Sequence, residues 1–197
     1  RFGATVEGVG DVDGDGVADV AVGSPRQGPS FSATHGFCRV YSGATGGLVL
    51  SIPGPSDSGR FGSSIAGLGD LNGDGRADLA IGAPRVDGIG SDSGAVRVHS
   101  GIDGSLMYSV TGLGAFNFLG ATIAATGDID GDGLGDFATL AEQAGDPIRV
   151  HSGLDGSILA VGHGGPQSGP GLSIPAQGFG ALATGDIDGD GATEIVA

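Results

Sequence analysis

Carboxylates recur in this sequence at alternate positions around glycine, and they do so four times. The pattern D-x-D-x-D-G-x-x-D places Asp11, Asp13, Asp15 and Asp19 in a first copy and Asp70, Asn72, Asp74 and Asp78 in a second. Asp128, Asp130, Asp132 and Asp136 form a third, and Asp186, Asp188, Asp190 and Glu194 a fourth. Acids at alternate positions of a tight glycine turn aim their oxygens at one point, where they can surround a hard cation. Without one, carboxylates held that close repel each other. Positions one, three, five and nine are expected to supply side-chain oxygen, and position seven its backbone carbonyl, from Val17, Arg76, Leu134 and Ala192. Calcium accepts six to eight oxygens in flexible geometry, whereas magnesium demands a strict octahedron and holds its water. The loops carry no Cys or His ligand set, which argues against zinc and copper. A helix-loop-helix calcium site would need a bidentate acid at position twelve, where Val22, Ile81, Thr139 and Ala197 stand instead. The expected cofactor is therefore Ca2+, about four ions, with position nine closing each site.

The first aspartates of the four loops, Asp11, Asp70, Asp128 and Asp186, are spaced by 59, 58 and 58 residues, so the elements that position them must repeat as well. A short apolar stretch such as residues 4–9 enters each loop, and an alternating stretch such as residues 19–23 leaves it: a strand, a tight loop and a second strand. A variable polar segment leads to a third strand with a recurring pattern, Cys38-Arg39-Val40-Tyr41, Val96-Arg97-Val98-His99 and Ile148-Arg149-Val150-His151. Ser-Gly-x-x-Gly follows each, at residues 42–46, 100–104 and 152–156, where glycine suits a hairpin turn with positive φ. A fourth strand comes next, at residues 48–52, 106–110 and 158–161. Four strands in roughly 50 to 60 residues is the size of one propeller blade. With no sustained 3.6-residue period, the fold class is all-β, in blades of four antiparallel strands. The expected domain is one partial β-propeller over 1–197, with blades at 1–59, 60–117 and 118–178 and a half blade at 179–197. A chain that starts on a first strand, at Arg1 and without Met, is expected to be a piece of something longer. It would need more chain or a second copy to complete the ring.

Composition agrees with a metal-loaded repeat. The formal charge is −15, from 23 acidic and 8 basic residues, and fifteen of the 23 acids lie in the four loops. Four divalent ions would leave about −7, ordinary for a soluble domain. Nucleic acid and anionic membrane surfaces are poor partners for such a charge. No apolar run is long enough to span a bilayer, so no membrane insertion is expected. The single cysteine, Cys38, excludes an intrachain disulfide framework and aligns with Val96 and Ile148, as a buried inert thiol would.

With the loops in place, the flanking residues resemble the FG-GAP repeat of the integrin α-subunit propeller. Phe61-Gly62 precedes the second loop and Gly82-Ala83-Pro84 follows it; Phe2-Gly3 and Gly23-Ser24-Pro25 do the same in the first unit, and Phe179-Gly180 opens the last. The third unit departs, with Leu119-Gly120 and Leu140-Ala141. The resemblance implies about three and a half blades of a seven-bladed ring, with calcium as a structural element on one rim. Strand alternation then puts residues 24–36, 53–60, 83–94, 112–118, 141–147 and 163–178 on the opposite rim. These vary most, so a ligand is expected there.

Three functions fit: a calcium-stabilised protein-binding or adhesion module, a polysaccharide-binding or polysaccharide-degrading propeller of lectin or lyase type, and a structural self-assembling segment. The partner is an unknown protein or glycan. The chain has no Trp and only Tyr41 and Tyr108, a thin supply of platforms for sugar. No catalytic constellation is evident, so no enzyme is expected. His99 and His151 share the strand position of Tyr41, which indicates packing, while Arg39, Arg97 and Arg149 are expected at an outward strand position. Sites of this kind match extracellular calcium, for which affinities of roughly 10⁻⁴ to 10⁻³ M suffice. A secreted or cell-surface location is therefore expected.

Overall fold

The computed structural model describes residues 2–25, 36–55, 59–140 and 147–162, with the backbone of two further short strands at 183–185 and 194–196. The described residues form strands and turns without a helix. The first sheet holds β1 (Thr5–Gly10), β2 (Asp19–Ser24), β3 (Phe37–Tyr41) and β4 (Leu48–Pro53), antiparallel and in sequence order. The second holds β5 (Ile65–Gly69), β6 (Asp78–Ala83), β7 (Ala95–His99) and β8 (Leu106–Thr111). The third holds β9 (Thr122–Gly127), β10 (Asp136–Leu140), β11 (Ile148–His151) and β12 (Ile158–Gly162). A two-stranded sheet follows, β13 (Ala183–Gly185) with β14 (Glu194–Val196). These are blades of the propeller type. Among the described residues no helix is long and apolar enough to cross a membrane.

The second blade buries both faces of its inner strands. In β6 all six residues are buried: Leu79, Ile81 and Ala83 point one way and Ala80 the other, as a period of two requires. One face joins Val9, Ala21, Cys38, Val40 and Ile52 of the first blade to Phe61, Ile65, Leu79 and Ile81 of the second. The other joins Ala66, Leu68, Val96 and Val98 to Leu119, Ile123 and Phe137 of the third. Burying each large side chain here is worth roughly 1.5 to 3 kcal/mol. The first strands of successive blades adjoin, β1 beside β5 and β5 beside β9, as they do when sheets fan around a common axis.

The glycines flanking the loops make the joint between blades. Gly62 adopts φ 86°, and its carbonyl oxygen presses on Gly23 of the preceding blade, where a β-carbon would collide with it. Gly120 repeats this against Gly82, so the third unit keeps its glycine although Leu119 stands where Phe61 does. Leu119 is 2% exposed and fills the equivalent core position.

Two expectations change. Arg149 is 8% exposed rather than outward, because the third blade turns that face of β11 toward the second. The turns after the third strands need glycine for two reasons, not one. Gly46, Gly104 and Gly156 have φ of 71°, 73° and 77°. Gly43, Gly101 and Gly153 do not have positive φ; their need is space, since a β-carbon would strike the carbonyls of Ala18, Ala77 and Gly135.

Candidate metal centre

Each of the first three loops joins the first strand of its blade to the second, and folds around its position-one acid. Asp11 Oδ1 accepts hydrogen bonds from the N–H groups of Gly14 (2.6 Å) and Asp15 (3.1 Å), and its Oδ2 accepts one from Gly16 (2.9 Å). Asp13 Oδ1 accepts from Asp15 N–H at 3.1 Å and Asp15 Oδ1 from Val17 N–H at 2.8 Å. Asp70 repeats the arrangement with Gly73, Asp74 and Gly75, and Asp128 with Gly131, Asp132 and Gly133. The two glycines of the first loop turn at φ 74° and 86°, which only glycine reaches without strain. Asn72 Oδ1 takes the place of Asp13 Oδ1, accepting from Asp74 N–H at 2.9 Å. Its Nδ2 donates to Ser100 Oγ at 3.4 Å, and that hydroxyl donates to Asp74 Oδ2 at 3.3 Å.

The position-nine acids are placed differently from the rest. Asp19, Asp78 and Asp136 are at most 1% exposed. Asp19 Oδ2 accepts from Val12 and Asp13 N–H, at 2.8 and 3.1 Å, while its Oδ1 accepts from Gly43 N–H at 2.9 Å. Asp78 bridges Leu71 and Gly101, and Asp136 bridges Ile129 and Gly153. This acid therefore bolts the loop to the turn between the third and fourth strands. The spacing from acid to turn varies between blades, so the bond was not readable from the sequence.

The loops set charges against each other. Burial pushes the Asp78 carboxyl above the ordinary carboxylate range; hydrogen bonds from Gly101 and Leu71 oppose the rise and the charges of Asp74 and Asp70 add to it. Asp70 is held below that range, chiefly by the Gly75 N–H, with Gly73 and Asp74 assisting. A divalent cation among these oxygens would offset the burial cost at Asp78.

The donor set fits such a cation. One carboxylate oxygen from each of Asp11, Asp13 and Asp15 lies within 4.8 Å of the others, and so do those of Asp128, Asp130 and Asp136. Oxygens on opposite sides of a calcium ion, bound at 2.3–2.6 Å, stand about 4.6 to 5.2 Å apart. In the first loop the cluster holds positions one, three and five; in the third it holds one, three and nine. Asp186, Asp188, Asp190 and Ala192 of the fourth loop lie outside the described residues, and Glu194 is described only as the first residue of β14.

Among the described residues, the histidines and the cysteine serve packing. His99 and His151 are 7% and 1% exposed, and their Nδ1 atoms meet the carbonyls of Gly104 (2.9 Å) and Gly156 (3.1 Å). Burial holds the Cys38 thiol up at about 12, so it stays protonated. On the opposite rim, Arg60, Asp92, Phe116 and Phe118 all adopt positive φ, between 51° and 60°. Arg85 Nη1 pairs with Asp92 Oδ2 at 3.1 Å and its guanidinium lies 5.0 Å from the Phe118 ring. Ile89, Leu113 and Phe116 stand exposed beside them, at 67%, 63% and 51%.

Comparison with known proteins agrees with this architecture. The FG-GAP repeat model matches residues 2–37 and 61–99. Integrin alpha-V of Gallus gallus is 29% identical over 205 residues, covering 95% of this chain, and integrin alpha-5 of Xenopus laevis is 30% identical over 211 residues, covering 99%. The chain spans 19% of the length of each. Among solved structures, a rhamnogalacturonan lyase of Bacillus licheniformis superposes with a TM-score of 0.59 at 18% identity, over 99% of this chain and 40% of its own. The rhamnogalacturonan lyase YesW gives 0.58 at 17%, over 99% and 40%. At such identity the likeness is one of fold alone. Motif, blade and sequence similarity converge: this chain carries FG-GAP repeats and is similar to the integrin alpha subunits.

Proposed function

We propose that this chain is a calcium-stabilised adhesion module, working outside the cytosol, with calcium on one rim and a protein partner on the other. The observation that carries the metal is the convergence of acidic oxygens within 4.8 Å in two separate loops of identical design. Adhesion rests on the similarity to integrin alpha subunits. Val17, Arg76 and Leu134 would complete the described sites through their carbonyls. The ion's contribution is electrostatic and structural: it cancels the repulsion of the loop acids and binds only the folded state. The partner surface would be the rim of Ile89, Leu113 and Phe116, where exposed apolar groups stand near the positive-φ backbone of Asp92, Phe116 and Phe118, a combination found at binding sites.

Thermal melting in calcium and then in chelator tests the metal. A higher melting temperature with calcium is expected, and coincident curves would overturn the reading. A glycan array tests the partner class: the protein-binding reading expects no glycan signal, and specific binding would move the function to carbohydrate.

A further inference from the structure

We infer that Arg76 is an electrostatic regulator of the neighbouring first loop, lowering that loop's affinity for calcium. The inference rests on the calcium reading above. Arg76 occupies position seven of the second loop, yet its side chain crosses to the first blade. Its guanidinium lies against Gly14, so that a β-carbon there would fall 2.6 Å from Cζ and 3.0 Å from Nε. The backbone brings it there: Ala77 N–H donates to the Asp11 carbonyl at 2.9 Å, and a β-carbon at Gly10 would sit 3.1 Å from Ala77 Cβ. The first loop is partly covered as a result. Asp11 and Asp13 are half-buried, while the corresponding Asp70 and Asn72 are exposed.

The second loop has no such visitor. Its neighbour carries Leu134 at position seven, and nothing lies within 4 Å of a β-carbon placed at Gly73, the counterpart of Gly14. The charges follow the same division. The first loop carries four acids and the second only three, because Asn72 replaces an aspartate. Arg76 adds its positive charge beside the more acidic loop. There it does two things: it relieves repulsion among Asp11, Asp13 and Asp15 when no ion is bound, and it opposes an arriving divalent cation. Both weaken binding at this loop. For a guanidinium lying against the loop's own glycine, in a largely aqueous and salt-screened dielectric, one charge acting on a divalent ion amounts to about a three- to tenfold change in affinity.

The test is a calcium titration of the ¹⁵N-labelled chain, following the amides of Gly14 and Gly16 for the first loop and of Gly73 and Gly75 for the second. Arg76→Gln should tighten the first loop about three- to tenfold. Arg76→Lys, which keeps the charge, should stay near the parent value, and Asp13→Asn should weaken the same resonances and so confirm their assignment. An unchanged first-loop affinity in Arg76→Gln would overturn the role of Arg76 while leaving calcium binding intact. Equal tightening in Arg76→Lys would also overturn it, since charge would then not be the cause. If no loop amide of the parent chain responded to calcium, both this inference and the reading beneath it would fall.

Discussion

At the scale of single residues, the histidines of the third strands show how one substitution elsewhere decides whether a buried polar atom is satisfied. His151 Nε2 meets Thr139 Oγ1 at 3.0 Å, while its Nδ1 is occupied by the Gly156 carbonyl, so the hydroxyl donates and the ring accepts. In the second blade Ile81 stands where Thr139 does, and His99 Nε2 is buried without a partner among the described residues. Thr139→Val should therefore cost about 1 to 2 kcal/mol by orphaning that nitrogen. Melting temperature would fall by about 2 to 4 °C per kcal/mol, and an unchanged melt would show that the pair contributes nothing. Both rings are also pH sensors of stability. Burial foremost, with Arg97 and Arg149 adding and the carbonyl bonds opposing, lowers the pKa of each below its ordinary 6.5. The unfolded chain then takes up protons first, so this stability is present above pH 6.5 and is lost as pH falls below it. Melting in calcium-free buffer from pH 8 to 5 should show the decline, and His99→Phe should make it shallower.

Within the acidic loop, residues of the same type hold unlike duties. Asp74 is exposed, while Asp78 is fully buried and joins the loop to the turn at Gly101. Replacing Asp78 by Asn removes an acceptor and leaves a buried N–H group unpaired, at a cost of about 1 to 3 kcal/mol. That loss should appear in chelator as well as in calcium. Asp74→Asn should lower the melting temperature chiefly when calcium is present, because the amide oxygen keeps the bond from Arg76 N–H and only the long bond from Ser100 Oγ, at 3.3 Å, is lost. Denaturation of both variants with and without calcium separates the two roles; identical behaviour would show that position nine is a metal ligand and nothing more.

Across the whole molecule, the calcium proposed for one rim would add to the stability that the blade interfaces supply. For affinities of roughly 10⁻⁴ to 10⁻³ M, about 10 mM calcium should add about 1.4 to 2.7 kcal/mol for each occupied loop. The increments should add across loops, since each cluster of acidic oxygens lies within a single turn. Single-loop variants at Asp13, Asp74 and Asp132 would each remove one increment. Loss of the whole calcium effect in any one of them would show that the loops act as a unit. The effect inferred for Arg76 makes the first loop's increment smaller and leaves that additivity intact.

How much of this was legible in advance follows from what is local. The loops, the four-stranded repeat and the FG-GAP likeness came from short-range spacing, because alternate carboxylates around glycine and a period of two are properties of the chain itself. Contacts between blades were not. The bond from Asp19 to Gly43, the pressure of the Gly62 carbonyl on Gly23 and the reach of Arg76 to Gly14 each join segments about 24 to 62 residues apart, at spacings set by loops of variable length. The burial of Arg149 is of the same kind, since the pattern of β11 tells which residues share a face but not what that face meets. Sequence determined the chemistry of the loops; only the packing of one blade on the next decided which acid is a bolt and which cation stands beside it.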